Sequence, residues 1–124
     1  MAFHNLLGEE GEKIAVRYLK SKGYIVYHTN WRFGKLEIDI IAEDGQELVF
    51  IEVKSRSSEI YGRPEEAVDD TKELAILNAA DIYVRNFNLE IEVRFDIISV
   101  IINKKQIKIN HIMDAFSGID QAYY

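Results

Sequence analysis

Glu37-Ile38-Asp39-Ile40-Ile41-Ala42-Glu43-Asp44-Gly45-Gln46-Glu47-Leu48-Val49-Phe50-Ile51-Glu52-Val53-Lys54-Ser55-Arg56 reads as two strands joined by a tight turn. Ile38, Ile40 and Ala42 alternate with Glu37, Asp39 and Ile41; beyond the turn, Val49, Ile51 and Val53 alternate with Leu48, Phe50, Glu52 and Lys54. Asp44-Gly45-Gln46 is a hairpin signal. If Gly45 and Gln46 form the loop, Asp44 pairs with Glu47 and Asp39 lies opposite Glu52. If Asp44 and Gly45 form it, Asp39 lies opposite Phe50 and diagonal to Glu52. Both registers place Asp39, Glu52 and Lys54 on one face, because side chains alternate with period two. Directly opposed residues have Cβ atoms roughly 5 Å apart. Two carboxylates that close repel each other unless a cation lies between them.

The chain around this hairpin has 124 residues, the size of one domain with a real core. Its 48% hydrophobic and 29% charged residues are those of a globular protein. No apolar run approaches the roughly 20 residues of a membrane span, and no basic, then apolar leader opens the chain. The absence of cysteine excludes disulfides and thiolate metal sites and fits a cytoplasmic setting. A net charge of −6 argues against tight non-specific binding to nucleic acid. The charge is polarised, however: residues 13–36 hold Lys13, Arg17, Lys20, Lys22, Arg32 and Lys35 and no acid. Residues 64–124 hold six basic and eleven acidic residues.

Leu7 to Ser21 reads as a helix with Leu7, Ile14, Ala15, Tyr18 and Leu19 as its apolar stripe and Gly23 as its stop. Glu12 falls on the flank of that stripe. Two readings stay open for it: an acid complementing the helix dipole, or a carboxylate leaning toward the sheet. Tyr24 to Thr29 is a first strand, and Asn30-Trp31-Arg32-Phe33-Gly34-Lys35 reads as a loop. Aromatics interleaved with Arg32 and Lys35 suit stacked bases and phosphates, whereas a structural loop would pack Trp31 on the core. After Arg56, residues 57–63 form a polar loop ending at Arg63. Pro64, the only proline, suits the first turn of a second helix. Glu65, Glu66, Asp69 and Asp70 follow it, Ala67, Val68, Leu74, Ala75, Leu77, Ile82 and Tyr83 supply a buried face, and Asn86 to Asn88 end the helix. Leu89 to Ile102 is a strand that starts half exposed and ends covered on both faces. Gln106 to Ile112 is a last strand, residues 112–116 suggest a short helical piece, and residues 117–124 a tail. The order α-β-β-β-α-β-β predicts an α/β domain, a mixed sheet flanked by helices.

On the hairpin, Asp39 and Glu52 are hard oxygen donors suited to Mg²⁺ or Mn²⁺. Lys54, on their face, is placed to balance phosphate charge or orient a water. The competing reading is a structural ion pair of Lys54 with Glu52 or Asp39, worth roughly 0–1 kcal/mol at a surface.

Several motifs together resemble the YraN-type family of small bacterial proteins: Gly11-Glu12 with Ala15 and Leu19, Asn30-Trp31-Arg32, Glu37-Ile38-Asp39, Phe50 to Arg56, Gly62 to Val68, Lys72, Arg94-Phe95-Asp96, and His111 with Ala115-Phe116. The similarity runs from about residue 8 to residue 116, and that span is the expected nuclease-like core. The family in turn resembles archaeal Holliday junction resolvases and the PD-(D/E)xK nucleases, which implies a restriction-endonuclease-like fold. On that resemblance Asp39 is the motif aspartate, Glu52 and Lys54 are its (D/E)xK, and Glu12 is the first-helix carboxylate completing the metal site. Ile38 stands where the motif proline would be, and Leu36 where a glycine is common before Glu37.

The joint expectation is a Mg²⁺- or Mn²⁺-dependent endonuclease acting on nucleic acid, in particular branched or structured DNA. Asp39, Glu52 and Glu12 would hold the metal, and Lys54 would complete the catalytic set. Arg32, Lys35, Arg56, Arg63 and Lys72 would contact phosphates. Symmetric cutting of a junction would call for a homodimer. Two other classes compete: a nucleic-acid-binding module without turnover, and a protein-interaction adaptor that retains the fold.

Overall fold

The computed structural model describes residues 3–58 and 68–116. Its elements are α1 (Phe3–Ser21), β1 (Ile25–Phe33), β2 (Leu36–Asp44), β3 (Glu47–Arg56), α2 (Asp70–Asn86), β4 (Glu92–Ile102) and β5 (Ile107–Ile112). The expected order of helices and strands holds. The five strands form one sheet in sequence order, antiparallel except where β3 pairs with β4. A parallel pair needs a crossover, and α2 lies in the connection that makes it.

Each face of the sheet buries one helix. Ile40, Ala42, Val49, Ile51, Ile98 and Val100 pack with Ile14, Ala15 and Leu19 of α1. Ile41, Leu48, Phe50, Phe95 and Ile97 pack with Ile76, Ala79, Ala80 and Tyr83 of α2. The strict alternation of β3 explains why its interior is apolar on both faces: every second residue meets a different helix.

Gly45 and Gln46 form the hairpin loop, and Asp44 pairs with Glu47. Gly45 has φ +61° while Gln46 does not share the left-handed conformation, the pattern of a type II′ hairpin turn. The ladder continues to Ile40 opposite Ile51 and stops. Beyond that pair, β2 stays with β1 through Ile38–Trp31, Glu37–Arg32 and Leu36–Phe33. β3 stays with β4 from Glu52–Ile97 to Arg56–Ile101. The sheet therefore opens into a fork, and Asp39 and Glu52 stand where it divides.

Several expectations change: α1 starts at Phe3 and not at Leu7, and Leu74, expected on the buried face of the second helix, is exposed. Asn30 to Phe33 continue β1 instead of forming a loop, and only Gly34 and Lys35 turn. The strand persists because β2 pairs with it and Trp31 packs edge-on to Tyr83, with ring centroids 5.3 Å apart. Pro64, Glu65, Glu66 and Ala67 lie outside the described residues, and α2 starts at Asp70; Asp69 caps it by accepting the Lys72 backbone N–H at 2.8 Å. β4 starts at Glu92 and not at Leu89, and its Arg94 and Asp96 are buried where a half-exposed strand was expected. Residues 113–114 form a turn in place of a helical piece, held by the Asp114 N–H donating to Asp96 at 3.0 Å. The expected tail, residues 117–124, falls outside the description.

Candidate metal centre

Where the β2–β3 ladder stops, the Val53 N–H donates to Asp39 Oδ2 at 2.8 Å. A backbone donor that a neighbouring strand would otherwise occupy thus fixes the Asp39 carboxylate. Glu52 is 6% exposed and shares a hydrogen bond with Asp39. Burial, then the charge of Asp39 and that hydrogen bond, push the Glu52 carboxyl up to about 8, against the opposing pull of Lys72 and Lys54. At neutral pH, without a cation, these causes favour the protonated form of Glu52. Lys72 reaches Glu52 from the first turn of α2, Nζ to Oε2 3.6 Å.

The third carboxylate comes from the opposite face. α1 crosses β3 with Gly11 against Ser55, so closely that a methyl group at Gly11 would collide with the Ser55 hydroxyl. This approach brings the next residue, Glu12, to the fork. The Asn30 amide donates to Glu12 Oε1 at 2.6 Å. Burial and the charges of Asp39 and Glu37 raise the Glu12 pKa, while the Asn30 hydrogen bond offsets part of the rise. Of the two readings of Glu12, the carboxylate leaning toward the sheet is the one that describes its position.

Glu12, Asp39, Glu52, Lys54 and Lys72 thus form one electrostatically coupled group. Arg32 lies near the tip of the β1–β2 prong, paired with Glu37 at 3.6 Å, and Lys35 is exposed in the turn at that tip. Arg56 ends the β3 prong. Arg63 lies outside the described residues. Asn30, Gly11 and Ser55 were not read as site residues. Asn30 adopts φ +53°, a conformation asparagine tolerates better than most residues.

No three Asp, Glu or His side chains among the described residues form a ready-made metal cage. The chemistry of the donor set nevertheless fits Mg²⁺ or Mn²⁺, ions held through one or two carboxylates with water and phosphate oxygens completing the shell. Asp39 and Glu52 present hard oxygens to such a cation, and Glu12 is a third donor at its edge.

A second polar group lies on the α1 face. Arg94 donates to both oxygens of the fully buried Asp96, each at 2.9 Å, to Asp44 at 2.9 Å, to Glu47 at 3.1 Å and to the Tyr24 hydroxyl at 2.7 Å. His111 Nε2 lies 2.7 Å from Asp96, and its Nδ1 lies 3.0 Å from the Tyr18 hydroxyl. Among the described residues no buried side-chain polar atom lacks a partner. This group is saturated, which suits a structural staple.

No helix among the described residues is long and apolar enough to cross a membrane. The chain is similar to UPF0102 proteins of Bacteroides thetaiotaomicron, at 48% identity over 116 residues, and Phocaeicola vulgatus, at 47% over 116 residues, covering 94% of this chain and 96% of each relative. A UPF0102 protein of Flavobacterium psychrophilum is 47% identical over the same length and covered to 98%. Residues 11–100 match the model of the Uncharacterised protein family UPF0102. With the fork and both helices' contacts to it inside the matched span, the chain belongs to the UPF0102 family.

Proposed function

We propose that this protein is a metal-dependent phosphodiesterase of the PD-(D/E)xK type that hydrolyses nucleic acid, with branched or structured DNA as its substrate. One observation carries the reading: a buried glutamate beside an aspartate at a fork in the sheet, with a third carboxylate and two lysines around them. A structural ion pair needs one acid and one base and has no use for acids pressed together. Asp39, Glu52 and Glu12 would hold Mg²⁺ or Mn²⁺, which supplies an activated water and polarises the scissile phosphate. The Val53 N–H orients Asp39, and Asn30 orients Glu12. Lys54 offers its ammonium to the charge that develops on the phosphate. Lys72 favours the ionised form of Glu52 and so assists loss of its proton. Arg32 and Lys35 on one prong, and Arg56 on the other, would contact flanking phosphates, as would Arg63. A junction cut symmetrically needs two copies related by a two-fold axis, so the reading includes a homodimer, in a cytoplasmic setting.

The test is incubation of purified protein with labelled four-way junction, flap, duplex and single-stranded substrates in Mg²⁺ or Mn²⁺. Cleavage of at least one substrate, lost in Asp39→Ala, is the expected result; no Asp39-dependent cleavage of any of them defeats the proposal. The net charge of −6 favours a second reading, a module that binds nucleic acid without turnover. Binding that survives both EDTA and Asp39→Ala, without cleavage, selects it.

A further inference from the structure

α1 presents Glu9, Glu12, Lys13, Val16 and Arg17 toward Thr29 and Asn30 of β1, and together they line an open cleft of about 610 Å³. The five helical residues follow the spacing i, i+3, i+4, i+7, i+8 and so form one face. Glu12 belongs both to this cleft and to the carboxylate group, so the cleft opens directly onto the candidate metal centre. The helix face changes sign along its length. Glu9 and Glu12 stand at its N-terminal end, Glu12 beside Asp39, and Lys13 and Arg17 continue beyond them, four residues and roughly 6 Å apart along the axis. Val16 stands between the two bases as an apolar wall, with Thr29 and Asn30 opposite. Arg17 has a loose, exposed partner in Glu10 at 3.8 Å. Such a pair gives way readily to a phosphate, with which arginine forms a bidentate contact. Pockets for single small ligands measure roughly 300–1,000 Å³, so the cleft matches a strand one or two nucleotides at a time.

Resting on the phosphodiesterase reading, we propose that the α1–β1 cleft holds a single strand of nucleic acid as it leaves the scissile phosphate. Lys13 and Arg17 each take a backbone phosphate. The acids Glu9 and Glu12 exclude phosphate from the other half of the helix face unless a cation is bound there. Val16 gives the sugar an apolar surface, and Thr29 and Asn30 give it polar contacts without selecting a base. The ligand class is a single-stranded oligonucleotide, so the substrates favoured at the site are those with a strand already separated at the cut.

The test is fluorescence anisotropy with the full chain in Ca²⁺, using one oligonucleotide as a single strand, the same sequence as a duplex, and a mononucleotide as competitor. The variants are K13A/R17A and E10A; all three side chains are exposed on α1, so the fold is retained. K13A/R17A is expected to weaken single-strand binding at least tenfold and to flatten its salt dependence by about 1.4 in log–log slope, about 0.7 for each phosphate that is no longer neutralised. Mn²⁺ affinity measured by calorimetry stays unchanged, and E10A binds as tightly as wild type or tighter. Unaltered affinity and salt slope in K13A/R17A overturn the cleft while leaving the phosphodiesterase reading intact, since cleavage is scored separately. Equal or tighter duplex binding, or competition by the mononucleotide at the oligonucleotide's own concentration range, overturns the single-strand claim. Cleft-dependent binding without cleavage supports the cleft and defeats turnover; wild-type protein that binds no nucleic acid overturns both.

Discussion

Glu52 is the residue on which the site's behaviour turns, because its carboxyl is pushed up to about 8 while an unfolded chain returns it to about 4.3. Between those values the folded protein binds a proton that the unfolded chain releases. Stability without metal therefore falls as pH rises across that window. In chelator, the wild-type melting temperature is expected to drop between pH 5.5 and pH 8.5. Glu52→Gln, which keeps the hydrogen bond to Asp39 and removes the titration, should flatten the curve and be more stable at pH 8 by roughly 1–3 kcal/mol. Parallel curves for the two proteins would show that Glu52 is ordinary. In Mn²⁺ the order should reverse near pH 8, with wild type gaining more than Glu52→Gln. The Asp39–Glu52 pairing was legible in the sequence because a short hairpin loop and a period of two leave only two registers. The raised Glu52 pKa was not, since it depends on how deeply the fold buries Glu52, against the pull of Lys72, a residue twenty positions away.

At the scale of elements, the site depends on how closely a helix can approach a strand. Gly11 is where α1 touches β3, and the next residue delivers Glu12. Gly11→Ala is expected to destabilise the fold by roughly 1–3 kcal/mol, the range for forced overpacking, and to displace Glu12 from the fork. Ser55→Ala on that background should restore only part of the stability, because the Ser55 Cβ itself is tight against the added methyl. Chemical denaturation of the single and double variants checks this; a Gly11→Ala protein as stable as wild type would mean that the helix rides away from the strand without penalty. Such a crossing is invisible in a linear chain, where Gly11 looks like a weak position within a helix. The same limit explains β1: Asn30 to Lys35 carry the composition of a loop, and only pairing with β2 and packing of Trp31 on Tyr83 keep Asn30 to Phe33 in the sheet. Helix and strand periodicities survived in outline because each element buries a regular face, although Leu74, expected on the buried face of α2, is exposed; boundaries set by tertiary partners did not survive.

Across the whole molecule, the β2–β3 ladder is locked at one end and open at the other. Arg94 reaches Asp44 and Glu47 beside the hairpin loop and grips Asp96, which also holds His111 of β5 and the turn at Asp114. Along the chain, Arg94 and Asp96 alternate like solvent-facing residues; their burial required Tyr24, Asp44 and His111, all distant in sequence. Burial opposes ionisation of Asp96, but the hydrogen bonds of His111, Arg94 and the Asp114 N–H prevail, and its pKa lies below the ordinary value. The stabilisation is therefore present above the unfolded aspartate pKa, about 3.9, and disappears as pH falls toward the lower folded value. Asp96→Asn leaves Arg94 a buried charge short of its main partner, which is expected to cost about 3–5 kcal/mol at pH 7. Its acid limb below pH 4 should be shallower than that of wild type. His111→Gln, which keeps a donor toward Asp96, supplies a milder variant if Asp96→Asn does not fold. Urea denaturation at pH 7 and pH 3.5 measures both effects, and equal stabilities of wild type and Asp96→Asn at pH 7 would show that the group is no staple. The staple sits at the hairpin loop and the acids at the fork, so the milder variant should keep its Mn²⁺ affinity even while its stability drops. A joint fall of both in His111→Gln would mean that the closed end of the ladder sets the geometry of the open one.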